Sequence, residues 1–507
     1  MKRFIQSRRL RFGLVFGLSC LIVLCVSLFS PVKAQKTLTI ATEPTFPPFE
    51  MQGKNGELQG FDIDLVKAIG KAADFNVEFR SMPFDGIIPA LQSRTVDGAV
   101  SAMTINAERS KTVSFSRPYF KAGLAIATQG DNQDITSLDS LKNKKVAVQI
   151  GTTGAAEAKK IAGAQIRTFD SAPVALQELR NGNVDAVIHD APAILYAIKS
   201  NNLQGLKISD QLLTEEYYGI PTPKNSPNLD LINKGLTTIL DNGTYDQIYQ
   251  KWFNAKPPQL PETVQFDTSA DPDKASGVIL SALPNLLKGA LVTLELTALS
   301  VLLGMIGGSL IGIARLSTLA PLRWLTRAYV DFFRGTPLLV QIFMIYFGLP
   351  ALLQGIGITF SLNRLTAAVL ALSLNSAAYL AEIVRAGIQS IEKGQSEAAE
   401  SLGLGSWETM RYVIFPQALR RMLPPLGNEF ITLLKDTSLV AVIGFEELFR
   451  QGQLIVADNY RAFEIYAAVA LIYLVLTVFS SRVFSFLERS MNPVNKSHKP
   501  NAQLARK

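Results

Sequence analysis

The sequence predicts a two-part chain: a water-soluble α/β domain of two lobes, then an all-α bundle of about five membrane-spanning helices. Three observations predict it. From residue 36 to 256 short β-rich runs alternate with helix-like stretches, the pattern of open, largely parallel sheets covered by helices. Beyond residue 284 come uncharged apolar runs long enough to cross a bilayer. Charged residues make up only 18% of the chain, below the roughly one quarter usual in soluble proteins, so part of it is expected in lipid.

The elements follow in order. Lys2, Arg3, Arg8, Arg9 and Arg11 precede an uncharged run over 13–29, then Pro31 and Ala34, the layout of a secretory signal peptide over 1–34. A retained anchor is the alternative, since the run can just span a bilayer. The α/β domain occupies 35–256. Its first series is TLTIA (37–41), DIDLVKAIGKAA (62–73), NVEFR (76–80), GIIPALQS (86–93) and VDGAVSAM (96–103). The second is GLAIAT (123–128), KKVAVQI (144–150), QIRTF (165–169) and VDAVIHD (184–190). Two series suggest two lobes, the second over about 124–216, with ligands bound outside the carboxyl ends of the strands. Residues 257–283 read as a linker, polar and proline-bearing with neither period.

The membrane domain is expected over 284–489, with spans at 289–314, 338–356, 365–381, 422–445 and 465–481. Arg315, Arg323 and Arg327 follow the first span; Arg385, Lys393, Arg411, Arg420 and Arg421 lie between the third and fourth. With the soluble half outside, these clusters and the basic tail at 490–507 all fall in the cytoplasm.

The formal charge of +8 is no nucleic-acid signal: five basic residues open the chain and five follow Glu488, leaving the stretch between them slightly acidic. Cys20 and Cys25 are the only cysteines and both lie in the leader, which excludes a disulfide framework or a catalytic thiol beyond it. His189 is the only histidine outside the tail, so no histidine metal cluster is expected. The sequence contains no G-x-x-x-x-G-K-[ST], so the chain holds no P-loop for ATP.

Arg109, in MTINAERS (103–110), has the forked geometry that receives a carboxylate, or else pairs at the surface with Glu108. The turn 151–154 before a helix offers backbone N–H groups to an anion. His189 and Asp190 end a strand; Asp190 suits an ammonium partner or a helix N-cap. Phe46 and Phe84 fit either core packing or a ligand sandwich.

Taken together, ATEPTFPPFE (41–50), LQGFDIDLVKAIG (58–70), FDGIIPALQS (84–93), MTINAERSKTVSFSRPYF (103–120) and DNGTYDQIYQKWF (241–253) closely resemble the periplasmic polar-amino-acid-binding proteins. The resemblance covers essentially all of 36–256 and implies a type II periplasmic-binding-protein clamshell closing on one amino acid. It implies that Arg109 and Thr104 bind the α-carboxylate and Asp190 the α-ammonium. Phe46 and Phe84 would flank the side chain, Thr153 would add a lobe-two contact, and Glu43 and His189 would meet the far end. Where the glutamine-binding members have an aspartate, this chain has Glu43; where they have a lysine, it has Gln149. Losing a cation and keeping an anion makes the pocket less hostile to arginine, lysine or histidine beside glutamine.

In the second half, EAAESLGLGSWETMRYVIFP (397–416) resembles the EAA loop of ABC importer permeases, with Glu397, Ala398, Ala399, Gly403 and Pro416 in the matching places. FFRGTPLLVQ (332–341), NSAAYLAEIVRAGIQSI (375–391) and LLKDTSLVAVIG (433–444) extend the likeness to the polar-amino-acid permeases. The resemblance implies a transmembrane ABC permease, with the loop docking on a cytoplasmic ATPase that binds ATP and Mg. Within the membrane, Glu382 and Arg385, and Lys435 and Asp436, are expected to neutralise one another; Asn375 suits a helix-joining amide, and Glu295 fits either the translocation path or packing.

The reading is a fused binding protein and permease of a polar-amino-acid ABC importer in the bacterial inner membrane. It is not an enzyme and carries no cofactor or metal of its own. Its expected partners are an ATPase subunit, a second copy of itself, the amino acid and lipid. The alternative is an amino-acid-gated channel, but both lobes finish before the first span and no TVGYG-like filter appears.

Overall fold

The computed structural model describes residues 35–491 apart from 201, 202, 204, 210, 266–276, 359 and 361. The leader, part of the linker and nearly all of the tail lie outside the described residues.

Lobe one is built on strand Lys36–Thr42, which lies parallel to Phe75–Ser81 on one side and Gly98–Ala99 on the other. Parallel neighbours need crossovers, and helices Phe61–Ala72 and Phe84–Gln92 supply them. Their apolar residues recur at helical spacing, so one face of each is buried: Phe61, Leu65 and Ile69 on the first, Ile87 and Leu91 on the second.

Lobe two is a five-stranded sheet in the order Gln165–Phe169, Lys145–Gln149, Ala186–Asp190, Leu124–Gln129, Leu206–Ile208. The first three run parallel, but Leu124–Gln129 is antiparallel to both of its neighbours. The expected largely parallel sheet is therefore a mixed one here. The chain enters lobe two along Leu124–Gln129 straight from the hinge, so no crossover helix sets that strand's direction.

The hinge itself is strand Phe120–Ala122 paired antiparallel with Glu216–Tyr218. Beyond it the chain returns to lobe one, pairing Pro221–Pro223 with Val113–Phe115 and adding helices Asn228–Asp241 and Thr244–Phe253. Phe120 and Tyr218 stack with centroids 5.6 Å apart, and Phe49, Tyr249 and Phe253 pack round them. An aromatic block thus stiffens the hinge on its lobe-one side.

Three helices of the second half are long and apolar enough to cross a membrane: Val278–Ala314, Arg364–Gln389 and Ala462–Met491. The first begins inside the stretch read as linker. The expected span at 338–356 falls on the second arm of a pair, Ala320–Gly335 and Leu338–Leu353, bent by 108°. Pro337 is the reason: it pushes Thr336 into the extended region (φ −118°, ψ 146°) and breaks the helix there. The expected span at 422–445 falls on helix Phe415–Asp436, which carries Arg420, Arg421, Glu429 and Lys435, and on the tighter turn Thr437–Ile443 after it. It does not pass as an apolar span, so the five expected spans become three helices and a bent pair among the described residues.

The bundle centre is the contact of Val278–Ala314 with Arg364–Gln389. Gly304, Gly308 and Gly312 recur every fourth residue along it. A Cβ at Gly308 would lie 2.7 Å from that of Leu380, and one at Gly312 would lie 2.8 Å from the Ala381 carbonyl oxygen. With no hydrophobic effect between helices in lipid, this close approach is what gives the pair its dispersion energy.

Candidate functional site

Polar side chains gather where the strands end. Glu43 follows Lys36–Thr42, Ser101 follows Gly98–Ala99, Gln149 closes Lys145–Gln149, and His189 and Asp190 close Ala186–Asp190. Parallel strands from both lobes thus aim their carboxyl ends at one cleft. All nine expected ligand residues, Glu43, Phe46, Phe84, Thr104, Arg109, Gln149, Thr153, His189 and Asp190, line one enclosed cavity of about 10 Å³.

Hydrogen bonds across the cleft hold the lobes shut. Gln149 Nε2 in lobe two donates to Glu43 Oε2 in lobe one at 2.8 Å. Arg109 in lobe one donates through Nη2 to the Gly151 carbonyl in lobe two at 2.9 Å, and through Nη1 to the Thr104 carbonyl at 2.8 Å. The Arg109 guanidinium lies over the Phe84 ring, 5.4 Å from its centroid. It is 2% exposed and makes no ion pair among the described residues. The surface alternative is therefore wrong: Glu108 pairs with Lys111, not with Arg109.

Asp190 stands at the N-cap of helix Ala191–Lys199 without capping it. Its carboxylate instead accepts a short hydrogen bond from the Tyr218 hydroxyl. His189 Nδ1 lies 2.7 Å from the Asp190 backbone N–H and Nε2 lies 3.1 Å from Gln149 Oε1. Nδ1 also lies 2.9 Å from the Asp190 carboxylate; because Gln149 Nε2 donates to Glu43, its Oε1 is left to accept from His189 Nε2–H, so the relay runs from imidazole to amide to the Glu43 carboxylate. Phe46 packs on the His189 ring at 5.2 Å.

Burial dominates the electrostatics. Glu43 is pushed up to about 7 by desolvation, against the lowering effect of bonds from Thr45 and Gln149. Behind the cavity, Ser101 Oγ donates to Glu50 at 2.8 Å, while Asp62 accepts from the Ala102 N–H and the Tyr119 hydroxyl. Burial raises both of these carboxyls, and they anchor the loop that presents Ser101 and Thr104.

The sequence reading missed Glu216 and Tyr218. Both sit on the hinge strand, and Glu216 Oε2 accepts from Thr104 at 2.6 Å and from Thr153 at 3.0 Å, one threonine from each lobe. Burial raises its pKa, with the negative charge of Asp190 adding to the effect. The available signal was weak: Glu216 opens a three-residue strand, Glu216–Tyr218, too short to show which side chains face inward.

Residues 38–255 match the bacterial extracellular solute-binding proteins of family 3, and 300–493 match the inner membrane component of binding-protein-dependent transport systems. The chain is 46% identical to the glutamine transport system permease protein GlnP of Escherichia coli over 45% of its own length and 99% of that protein's. The chain belongs to the amino-acid ABC transporter family, as a fused binding protein and permease. The transporter is also 39% identical to the arginine transport system permease protein ArtQ of Bacillus subtilis, over 41% of this chain and 93% of that protein. Its binding half is similar to an ancestral arginine-binding protein solved with arginine, at 49% identity and a TM-score of 0.42, over 43% of this chain and 99% of that one. The matched families are transport components, and nothing supports the channel alternative.

In the transporter's membrane half, helix Lys393–Ser401 carries Glu397 and Ala398 exposed and Ala399 buried. Gly403, at φ +86°, turns the chain out of it with open space around its Cα. Pro416 is the second residue of helix Phe415–Asp436, directly after the π-helical turn Thr409–Ile414, whose wider winding accommodates the missing N–H. Leu402 (84% exposed), Trp407 (72%) and Tyr412 (66%) each leave a large apolar surface uncovered in the stretch between the two. Glu382 pairs with Arg385 as expected, and also with Arg315 on the neighbouring helix. The expected Lys435–Asp436 pair does not occur among the ion pairs of the described residues. Asn375 joins helices by donating to Gln341 Oε1 at 2.9 Å, and Glu295 is exposed on the outer face of Val278–Ala314. The described residues include no group of three or more side chains placed to hold a metal.

Proposed function

We propose that the cleft binds one free amino acid, arginine, lysine or histidine as well as glutamine, and hands it to the permease half for import. One observation carries the choice of ligand: the cavity sets one guanidinium, Arg109, against the carboxyls of Glu43 and Asp190, with Glu216 behind them. Arg109 meets the ligand α-carboxylate and Asp190 the α-ammonium, which leaves Glu43 for the far end. A cationic side chain neutralises it. Glutamine is tolerated because Glu43 titrates at about 7 and accepts a proton at modest cost. Phe46 and Phe84 sandwich the aliphatic stem, Thr104 and Thr153 orient the carboxylate, and the Gln149–His189 relay holds Glu43 in place.

The energy comes from elsewhere. A separate ATPase binds ATP and Mg and seats against 397–416, using Glu397 as an anionic contact and the exposed surfaces of Leu402, Trp407 and Tyr412 as its apolar floor. The chain works as a homodimer in the inner membrane with its binding lobes outside and its tail in the cytoplasm, directed there by residues 1–34. Titration calorimetry of the full chain in lipid nanodiscs, against a panel of amino acids, tests the ligand assignment. Heat from arginine and lysine as well as glutamine supports it; glutamine binding with no arginine or lysine binding contradicts it.

A further inference from the structure

The permease meets lobe two at several points, among them the Tyr346 hydroxyl, which donates to Glu178, but one helix, Leu448–Asn459, with its capping residue reaches both lobes. At its start, Arg450 is fully buried and reaches into lobe two: Nη2 donates to the Thr168 carbonyl at 2.8 Å, and Nη1 pairs with the Asp170 carboxylate. At its end, Asp458 pairs with Lys159 of lobe two at 2.6 Å. The residue that caps it, Tyr460, packs instead on the lobe-one core of Ile87, Ile88 and Leu91, the cluster in which Phe84 also sits. A single helix therefore grips both jaws.

We propose that this helix is a caliper that senses cleft closure, with Arg450 and Tyr460 as its two points. The grips sit next to the contacts that shut the cleft. The Asp170 carbonyl accepts from Gln149 Nε2 at 3.2 Å, and that same nitrogen donates to Glu43 across the cleft. Gly151, whose carbonyl receives Arg109, lies beside Ala457, with 3.8 Å from a built Cβ to the alanine methyl. Gly444 of the permease approaches so closely that a Cβ there would lie 2.6 Å from the Thr168 carbonyl oxygen. The helix is about 18 Å long and rigid, so it cannot follow two lobes that swing apart. Opening forfeits one grip or the other, and an unpaired Arg450 left at a dry surface is costly. Docking is thus tightest on the closed form. By reciprocity, docking tightens ligand binding by the same factor, typically 5- to 150-fold for such couplings.

The inference rests on the cleft being an amino-acid site, and the test separates the two. In the full chain in nanodiscs, Arg450→Met and Tyr460→Ala are expected to raise the Kd for arginine and glutamine about tenfold, although neither residue touches the cavity. Asp458→Lys at the exposed pair is expected to weaken binding about threefold, and adding Lys159→Asp to restore it. Unchanged Kd values within twofold in Arg450→Met and Tyr460→Ala overturn the caliper and leave the site intact. Should those two fail to fold, loss and rescue in the charge swap supports the caliper, and no loss or no rescue overturns it. A wild-type chain that binds neither amino acid overturns the reading beneath it.

Discussion

In the proposed reading Glu43 sets the ligand choice through its ionisation, and its raised pKa gives the sign of the expected pH response. Because burial raises it from 4.5 to about 7, the contribution of Glu43 to the stability of the closed cleft is full below about pH 4.5 and is lost as pH rises through 7. A cationic ligand needs the ionised form. Arginine affinity is therefore expected to climb as pH rises toward 7 and level off above it, with proton release on binding below that point. Calorimetry in two buffers of different ionisation enthalpy measures this. Glu43→Gln is expected to weaken arginine about 30-fold, on the order of 2 kcal/mol for a charged hydrogen bond, while nearly sparing glutamine. Kd values for the two ligands check it. Glu43, Phe46, Phe84, Thr104 and Arg109 were legible because they stand inside strings that carry a family likeness, and Gln149, Thr153, His189 and Asp190 because they stand at or just beyond the ends of β-rich runs. Glu216 and Tyr218 were not, because only the long-range pairing of Phe120–Ala122 with Glu216–Tyr218 brings them to the cleft.

At the scale of elements, local rules read well and tertiary bends did not. Helix Phe61–Ala72 followed from its apolar spacing, and strand Ala186–Asp190 from a short β-rich run. The bend at Pro337 was hidden, since the run after it is as apolar as a true span; the direction of Leu124–Gln129 was equally hidden, because strand sense depends on partners far away. Close helix approach gives a sharp expectation. Gly308→Leu forces a side chain into Leu380 and should lower the thermal midpoint of the nanodisc-embedded chain, with a cost of about 1–3 kcal/mol or more. In the loop, Glu397→Lys reverses the exposed charge that the proposed docking offers to the ATPase. Uptake in reconstituted vesicles is expected to vanish while amino-acid affinity stays within twofold; normal uptake would remove the loop's assigned role.

On the proposed reading the whole molecule divides labour between a jaw that chooses by charge and a gate whose sequence has no P-loop. Its jaw is already joined to its gate, so local concentration replaces a diffusive search for the docking helix Leu448–Asn459. Uptake of labelled arginine into proteoliposomes holding the full chain and ATP, with or without an added ABC ATPase subunit, tests this division most directly. The account predicts accumulation against a gradient only when the ATPase and ATP are both present. Accumulation by the chain alone would contradict it.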